Sequence, residues 1–376
     1  MKTLNIILFI ALAGLLFSCT QGRLKPEKEM AALNTRPLRI TNIRVDKKVF
    51  SPEKEKDVSI HFNISKQSQV TVKLYNRSDL LIKTLVKNKE LEKGPHKIKW
   101  DGTDDHNHLL PPGYYIFTIM GKTNNEKPVV YDPADETGGN LIKARDAQLD
   151  TFKGEIRYIL PKAGMVRIRA GVENSLLLRT IIDWEPRAAG RQKEPWDGLD
   201  QDGLINLFKL PNRQISIFAY SLPDNSIILS RETLKKDFPS KNPPDQNELR
   251  SPKKIRISNK FKHSTHDAAL CHEPDFQIVF PGQHKKDSEG IPILNGIVPV
   301  KIVLSKRDRK HLESSRFEVM FFVDLIFLFE DEEGYTPFTF FWDTSNLPEG
   351  EHVFTTNIWS YDDHCGTKSR KVIIRR

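Results

Sequence analysis

Short runs in which apolar and polar residues alternate dominate the chain from about residue 58 onward. Ile60, Phe62 and Ile64 alternate with polar neighbours, as do Val70 and Val72, then Ile156, Tyr158 and Leu160, then Val166 and Ile168. Period-two alternation turns one face of an extended strand toward a core and the other toward water. Turn-forming stretches such as Asn76-Arg77-Ser78-Asp79 and Gly94-Pro95-His96 punctuate the runs at the spacing of an all-β sandwich. No long helical periodicity interrupts them. Further along, Phe317 to Phe329 reads as one long apolar strand with Asp324 inside it, and Val353 to Tyr361 as a final strand.

The alternating runs repeat. Ile60, Phe62 and Ile64 fall on Ile156, Tyr158 and Leu160, and Val70 and Val72 fall on Val166 and Ile168, each 96 residues downstream without a gap. The same offset carries Lys83-Thr84-Leu85 onto Arg179-Thr180-Ile181, Gly94 onto Gly190, and Trp100-Asp101-Gly102 onto Trp196-Asp197-Gly198. A tryptophan ending a strand can bury its ring between two sheets, while the aspartate caps turn amides and the glycine supplies positive φ. The motif therefore closes a domain edge. A third Trp342-Asp343, followed by Leu347-Pro348-Glu349-Gly350, lies 146 residues beyond Trp196 and predicts a cousin of the first two units. Trp-Asp pairs also mark propeller blades, but those recur every ~40–45 residues, which excludes that fold.

Strand, sister strand, Trp100-Asp101-Gly102-x-Asp104, then Leu110-Pro111-Pro112-Gly113-Tyr114-Tyr115 resembles the immunoglobulin-like domain first named from the flagellar hook-cap protein. Phe50-Ser51-Pro52 ahead of the first strand fits as well. The second copy departs from the pattern: Pro211-Asn212-Arg213-Gln214 replaces the Pro-Gly-x-Tyr element, and Trp184 to Gln192 reads as an insertion. The resemblance implies antiparallel sandwiches of a common accessory type, not the hook-cap activity.

The N-terminus has a different pattern. Lys2 precedes an apolar run of 14 residues, Leu4 to Phe17, broken only by Asn5. That is the core of a signal peptide, too short to span a bilayer of roughly 30 Å. Leu16-Phe17-Ser18-Cys19 resembles the lipobox of bacterial lipoproteins, which implies cleavage after Ser18 and acylation of Cys19. An ordinary secretory signal with an incidental cysteine is the alternative. Thr20 is not the aspartate that retains some lipoproteins at the inner membrane, so the resemblance leans toward the outer membrane, with the leaflet open. The expected organisation is all-β: signal peptide 1–18, tether 19–39, immunoglobulin-like sandwiches at 40–122, 123–232 and 266–376, and a linker at 233–265. The stretch Arg231 to Lys262 carries ten Lys or Arg against four Asp or Glu, which suits a solvated connection or a dock for an acidic surface.

Charge and reactive residues narrow the function. The net charge of +9 is spread over many lysines and suits anionic lipid or polysaccharide, and nucleic acid is not an expected partner of an exported chain. With Cys19 assigned, Cys271 and Cys365 remain as a disulfide pair, as separate thiols, or as ligands beside His263, His266, His272 and His364. The ligand spacing lacks a tight zinc pair. Asp197, Asp200 and Asp202 fail as an EF-hand because the twelfth position is Phe208, so turn capping is expected; Glu330 to Gly334 reads as a solvated hairpin tip. No nucleophile elbow, metalloprotease helix, phosphate loop or haem motif occurs. Neither cofactor nor small-molecule substrate is expected. The sequence predicts a non-catalytic envelope scaffold that binds protein or glycan. The alternative is an accessory subunit of an envelope enzyme or redox complex, with the His/Cys cluster of the last domain at a metal or cofactor.

Overall fold

The computed structural model describes residues 36–124, 126–230, 272–361 and 364–376. The signal peptide, Cys19, most of the tether, the 233–265 linker, His263, His266 and Cys271 lie outside the described residues. Of these described residues most are strand, and no helix among them is long and apolar enough to cross a membrane.

In the first sandwich, one sheet orders β1 (Ile40–Val45), β3 (Val58–Ile64) and β6 (Gly94–Trp100). The facing sheet is built on β2 (Val49–Phe50), β4 (Ser68–Tyr75), β5 (Leu81–Leu91) and β7 (Gly113–Lys122). The predicted alternation sets the inward faces: Ile60, Phe62, Val70, Val72, Phe117 and Ile119 are buried around Trp100. Fully burying each such side chain contributes about 1.5–3 kcal/mol.

The first sandwich is not finished by its own segment. β8 (Val129–Tyr131) pairs with β7, and after the whole second sandwich the chain returns as β15 (Ile227–Leu229), antiparallel to β7 and parallel to β2. The second unit is thus nested within the first, and the expected divisions at 122 and 232 differ from the strand pairing. Ile227 and Leu229 are buried in the first core, which is the force that draws the strand back.

The second sandwich orders β13 (Gly190–Pro195), β10 (Glu155–Leu160) and β9 (Arg145–Asp150) against β12 (Leu177–Arg187), β11 (Gly164–Val172) and β14 (Arg213–Ser221). β5 and β12 stand 96 residues apart at both ends, as the repeat predicts. The Trp184–Gln192 stretch is no insertion: it runs through the β12–β13 hairpin. The offset holds from β3 to Trp-Asp-Gly and fails on either side of that stretch: β9 starts 105 residues after β1, and a 3-10 turn at Leu207–Lys209 precedes β14. Residues 139–142 hydrogen-bond along β14. A short helix, α1 (Pro133–Glu136), capped by Asp132, links β8 to this unit.

The third sandwich reproduces the first strand for strand. β16 (Phe276–Val279), β18 (Ile297–Leu304) and β21 (Phe338–Asp343) form one sheet. The other orders β17 (Ile293–Leu294), β23 (Cys365–Ile374), β22 (Gly350–Ser360), β19 (Phe317–Val323) and β20 (Ile326–Asp331). As in the first unit, a parallel pair, here β17 with β23, closes the larger sheet. The single apolar strand expected over Phe317 to Phe329 is instead the β19–β20 hairpin. Asp324 and Leu325 both take positive φ, 48° and 71°, which matches the twist of a two-residue hairpin turn. The acidic run at Glu330 is therefore not the tip; it ends β20. Between β18 and β19 sits an unexpected helix, α2 (Lys306–Ser315), whose N-cap Ser305 accepts from the Asp308 amide. Ser305-Lys306-Arg307-Asp308 is the serine-to-acid spacing of a helix start, the signal that could have announced it.

Neighbouring units are joined by buried contacts. Tyr75, Tyr114, Ile116 and Ile228 of the first pack with Met165, Trp184 and Leu222. Between the second and third, Phe322 enters the second core. Asn357 is saturated there: its Nδ2 donates to Leu177 O at 2.8 Å and its Oδ1 accepts from Leu177 N at 2.8 Å. Thr367 Oγ1 donates to the same carbonyl at 2.8 Å, Ser369 N donates to Asp202 Oδ2 at 2.6 Å, and Glu273 N donates to Asp183 Oδ2 at 2.9 Å.

Candidate functional site

The Trp-Asp-Gly positions serve the edges of the sandwiches. Trp100 Nε1 donates to Thr103 O and Trp196 Nε1 to Leu199 O, both at 3.0 Å. Asp101 Oδ1 accepts from Thr103 N at 3.1 Å, Asp197 Oδ1 from Leu199 N at 2.9 Å, and Asp343 Oδ1 from Ser345 N at 2.9 Å. Gly102 and Gly198 sit at φ +83° and +80°. Trp342 is buried in the third core without a following glycine, since Thr344 stands there. Asp200, fully buried, caps the turn amides of Leu204 and Ile205, while Asp202 belongs to the junction with the third unit.

The structure brings His272 and His364 together, their rings 5.0 Å apart and perpendicular. His311, which sequence reasoning passed over because it rides on the unexpected α2, lies against them. Its Nε2 is 3.2 Å from His364 Nδ1. His272 Nε2 is 2.5 Å from the buried Asp308 Oδ1. Burial opposes ionisation of Asp308, but hydrogen bonds from His272, Ser305 and the Asp275 amide outweigh it and hold its carboxyl well below the usual range. Cys365 is buried at the start of β23, opposite Trp359. Pro274 lies against Gly366, where a Cβ would meet its Cγ at 3.0 Å, so the segment after position 271 runs beside Cys365. Among the described residues, no group of three His, Cys, Asp or Glu side chains stands ready to hold a metal ion.

A second feature carries no reactive groups. β20 is the outer strand of its sheet, and Ile326, Phe327, Leu328 and Phe329 are 72%, 55%, 36% and 37% exposed. Consecutive exposed positions mean that both faces of the strand meet solvent. Phe329 stacks on Phe340 of β21 at 4.9 Å, while Phe341, the next residue and 68% exposed, faces the other way by the alternation of the strand. Glu330 to Glu333 follow directly. Burial and the neighbouring Glu318 and Glu332 carboxylates raise the Glu330 pKa.

Residues 48–125 match the FlgD Ig-like domain. They span β2 to β7. The pattern read from Trp100 to Tyr115 lies within that match, and the two further sandwiches extend an all-β tandem array. No curated protein matches the chain. Among solved structures, the chain is similar to the central fibronectin-III array of RIM-binding protein at 10% identity, covering 91% of this chain and 98% of that one, TM-score 0.18. It is also similar to a tetra-tandem repeat in the extending region of a large adhesion protein at 9% identity, covering 90% and 74%, TM-score 0.20. A third is a bacterial ice-binding adhesin at 9% identity, covering 90% and 98%, TM-score 0.19. At such scores the likeness carries no argument; the fold rests on the strand pairing.

Proposed function

We propose that this chain is a lipid-anchored scaffold of the bacterial cell envelope, attached through Cys19 and holding a protein or glycan partner rather than catalysing a reaction. The observation that carries the reading is the joining of the sandwiches. A second unit nested in the first, and a third tied to the second through Asn357 and Leu177, suit a part that must hold position. The lipobox resemblance at Leu16 to Cys19 supports the anchor, and it favours the outer membrane. Labelling cells with a palmitate analogue tests it: the wild type is expected to be labelled and to fractionate with membranes, and Cys19→Ala to lose both. A Cys19→Ala protein that stays labelled and membrane-bound refutes the anchor. Crosslinking in intact cells then identifies the partner.

The contact of His272 with His364 favours a second reading, an accessory subunit whose His/Cys corner in the last domain touches a metal or cofactor. Stoichiometric metal in the purified protein, lost in His364→Ala, supports that role. Pairing of Cys271 with Cys365 is proposed as the alternative use of this corner, since His272 and Pro274 lie against residues 364–366. An intact mass two hydrogens lower under non-reducing conditions, without metal, supports the disulfide.

A further inference from the structure

The three units place a strand at the same outer edge of the corresponding sheet, β5, β12 and β20, and treat it differently. β5 carries Lys83, Lys87 and Lys89 and is interrupted by register shifts against β4. Lysines and bulges are the devices by which sheet edges are kept from pairing with other chains. β12 is covered, because the third sandwich packs on it through β23. β20 shares a register shift, where Phe321 and Phe322 meet Phe329 and Phe327, but it carries no lysine and nothing covers it among the described residues. Its sequence, Ile326-Phe327-Leu328-Phe329-Glu330-Asp331, contains no lysine, arginine or proline, and among the described residues no element pairs with its outer side.

We propose that β20 is the docking edge of this protein, completed by an extended strand from a partner protein that carries alternating apolar side chains followed by lysine or arginine. This rests on the scaffold reading above and names the chemistry of its partner. An open edge offers unpaired backbone donors and acceptors at the strand period, so the natural occupant is another strand. Ile326 and Phe327, consecutive and exposed, supply the apolar contact on either side of it. The basic end follows from charge. Glu330, Asp331, Glu332 and Glu333, with Glu318 on the neighbouring strand, gather carboxylates at one end of β20 in a chain whose net charge is +9. A cation-bearing end relieves that crowding. The same carboxylates repel an anionic bilayer, which argues against insertion of the apolar row into lipid.

The test uses the mature full chain and synthetic peptides about as long as β20, alternating valine and threonine and ending in lysines or in glutamates. Fluorescence anisotropy is expected to show the lysine-tailed peptide binding at least about tenfold more tightly than its glutamate twin. Methylating alternate backbone nitrogens of the peptide should abolish binding. Ile326→Lys, at an exposed position, should weaken binding at least about tenfold while leaving the melting temperature unchanged; Leu328→Lys, on the same edge strand, serves as a second variant should the first unfold. No binding of the lysine-tailed peptide, equal binding of both tails, or full binding by both variants overturns the proposal. So does a wild-type dimer in sedimentation that Ile326→Lys dissolves, which would make a second copy the occupant. Flotation of the non-acylated chain with neutral phosphatidylcholine vesicles overturns it in favour of lipid. Failure here with Cys19-dependent attachment and an in-cell crosslink intact removes the docking edge and leaves the scaffold; loss of those two removes the scaffold itself.

Discussion

Replacing Asn357 by alanine should uncouple the third sandwich from the second. Its amide holds both backbone groups of Leu177, donating to the carbonyl and accepting from the N–H, and Nδ2 also donates to Thr367 Oγ1 at 2.9 Å. All of this is buried. In Asn357→Ala the Leu177 carbonyl keeps the Thr367 hydroxyl, but the Leu177 N–H loses its acceptor. A buried donor left unsatisfied costs about 1–3 kcal/mol, and the lost carbonyl bond adds about 1 kcal/mol, so roughly 2–4 kcal/mol is expected. For a cooperative unit of this size that is a drop of roughly 5–15 °C in melting temperature. Calorimetry would read the loss, and amide exchange would localise it, since Leu177 N–H should exchange faster while strands of the first core do not. Asn357→Asp keeps the acceptor and loses the donor, so its Leu177 amide should stay protected. Unchanged exchange at Leu177 in Asn357→Ala, with an unchanged melting temperature, refutes the coupling.

Gly102→Ala should destabilise the first sandwich by more than the roughly 1–2 kcal/mol that positive φ alone costs, because its Cβ would lie 2.6 Å from Pro52 Cγ and 3.2 Å from Phe50 Cε1. Gly203→Ala, at φ +75° with open space around the added carbon, should show only the φ cost, and equal losses in urea titrations would contradict this. Burial and the Asp183 carboxylate push Glu273 up to about 8, against the opposing pull of Arg169 and the Thr367 amide. A raised carboxyl pKa means that the folded chain keeps a proton the unfolded chain has lost, so stability should fall as pH rises from about 4.5 to 8, by up to roughly 1.4 kcal/mol per unit. Glu273→Gln should flatten that part of a stability–pH curve, and a slope unaltered by the substitution excludes Glu273 as its source. Burial disfavours the His352 cation, but the hydrogen bond to Asp324 at 2.6 Å outweighs it and raises the pKa. Its contribution is present below the ordinary histidine pKa and lost as pH rises through the folded value. Asp324→Ala should lower the His352 midpoint in an NMR titration.

The alternation at Ile60, Phe62, Ile64 and their partners 96 residues on determined the strands and the two-sheet cores, because side-chain period follows from backbone geometry alone. Trp100 and Trp196 were legible for the same reason: a bulky apolar ring before a turn aspartate and glycine has one economical place, at the sandwich edge. Asp324 was visible but misread, since the apolar run continues across it and only the pairing of β19 with β20 shows that the chain reverses there. The tertiary structure alone decided which sheet each strand joins. Nothing local in Ile227 to Leu229 distinguishes the second sheet from the first; the space left beside β7 does. Likewise His272, His311 and His364 are 39 and 53 residues apart along the chain, and the packing of α2 on the β22–β23 turn makes them neighbours. The exposed row at Ile326 reads as core in the sequence, because hydrophobicity tells which residues seek burial and only the completed fold tells which of them are left waiting for a partner.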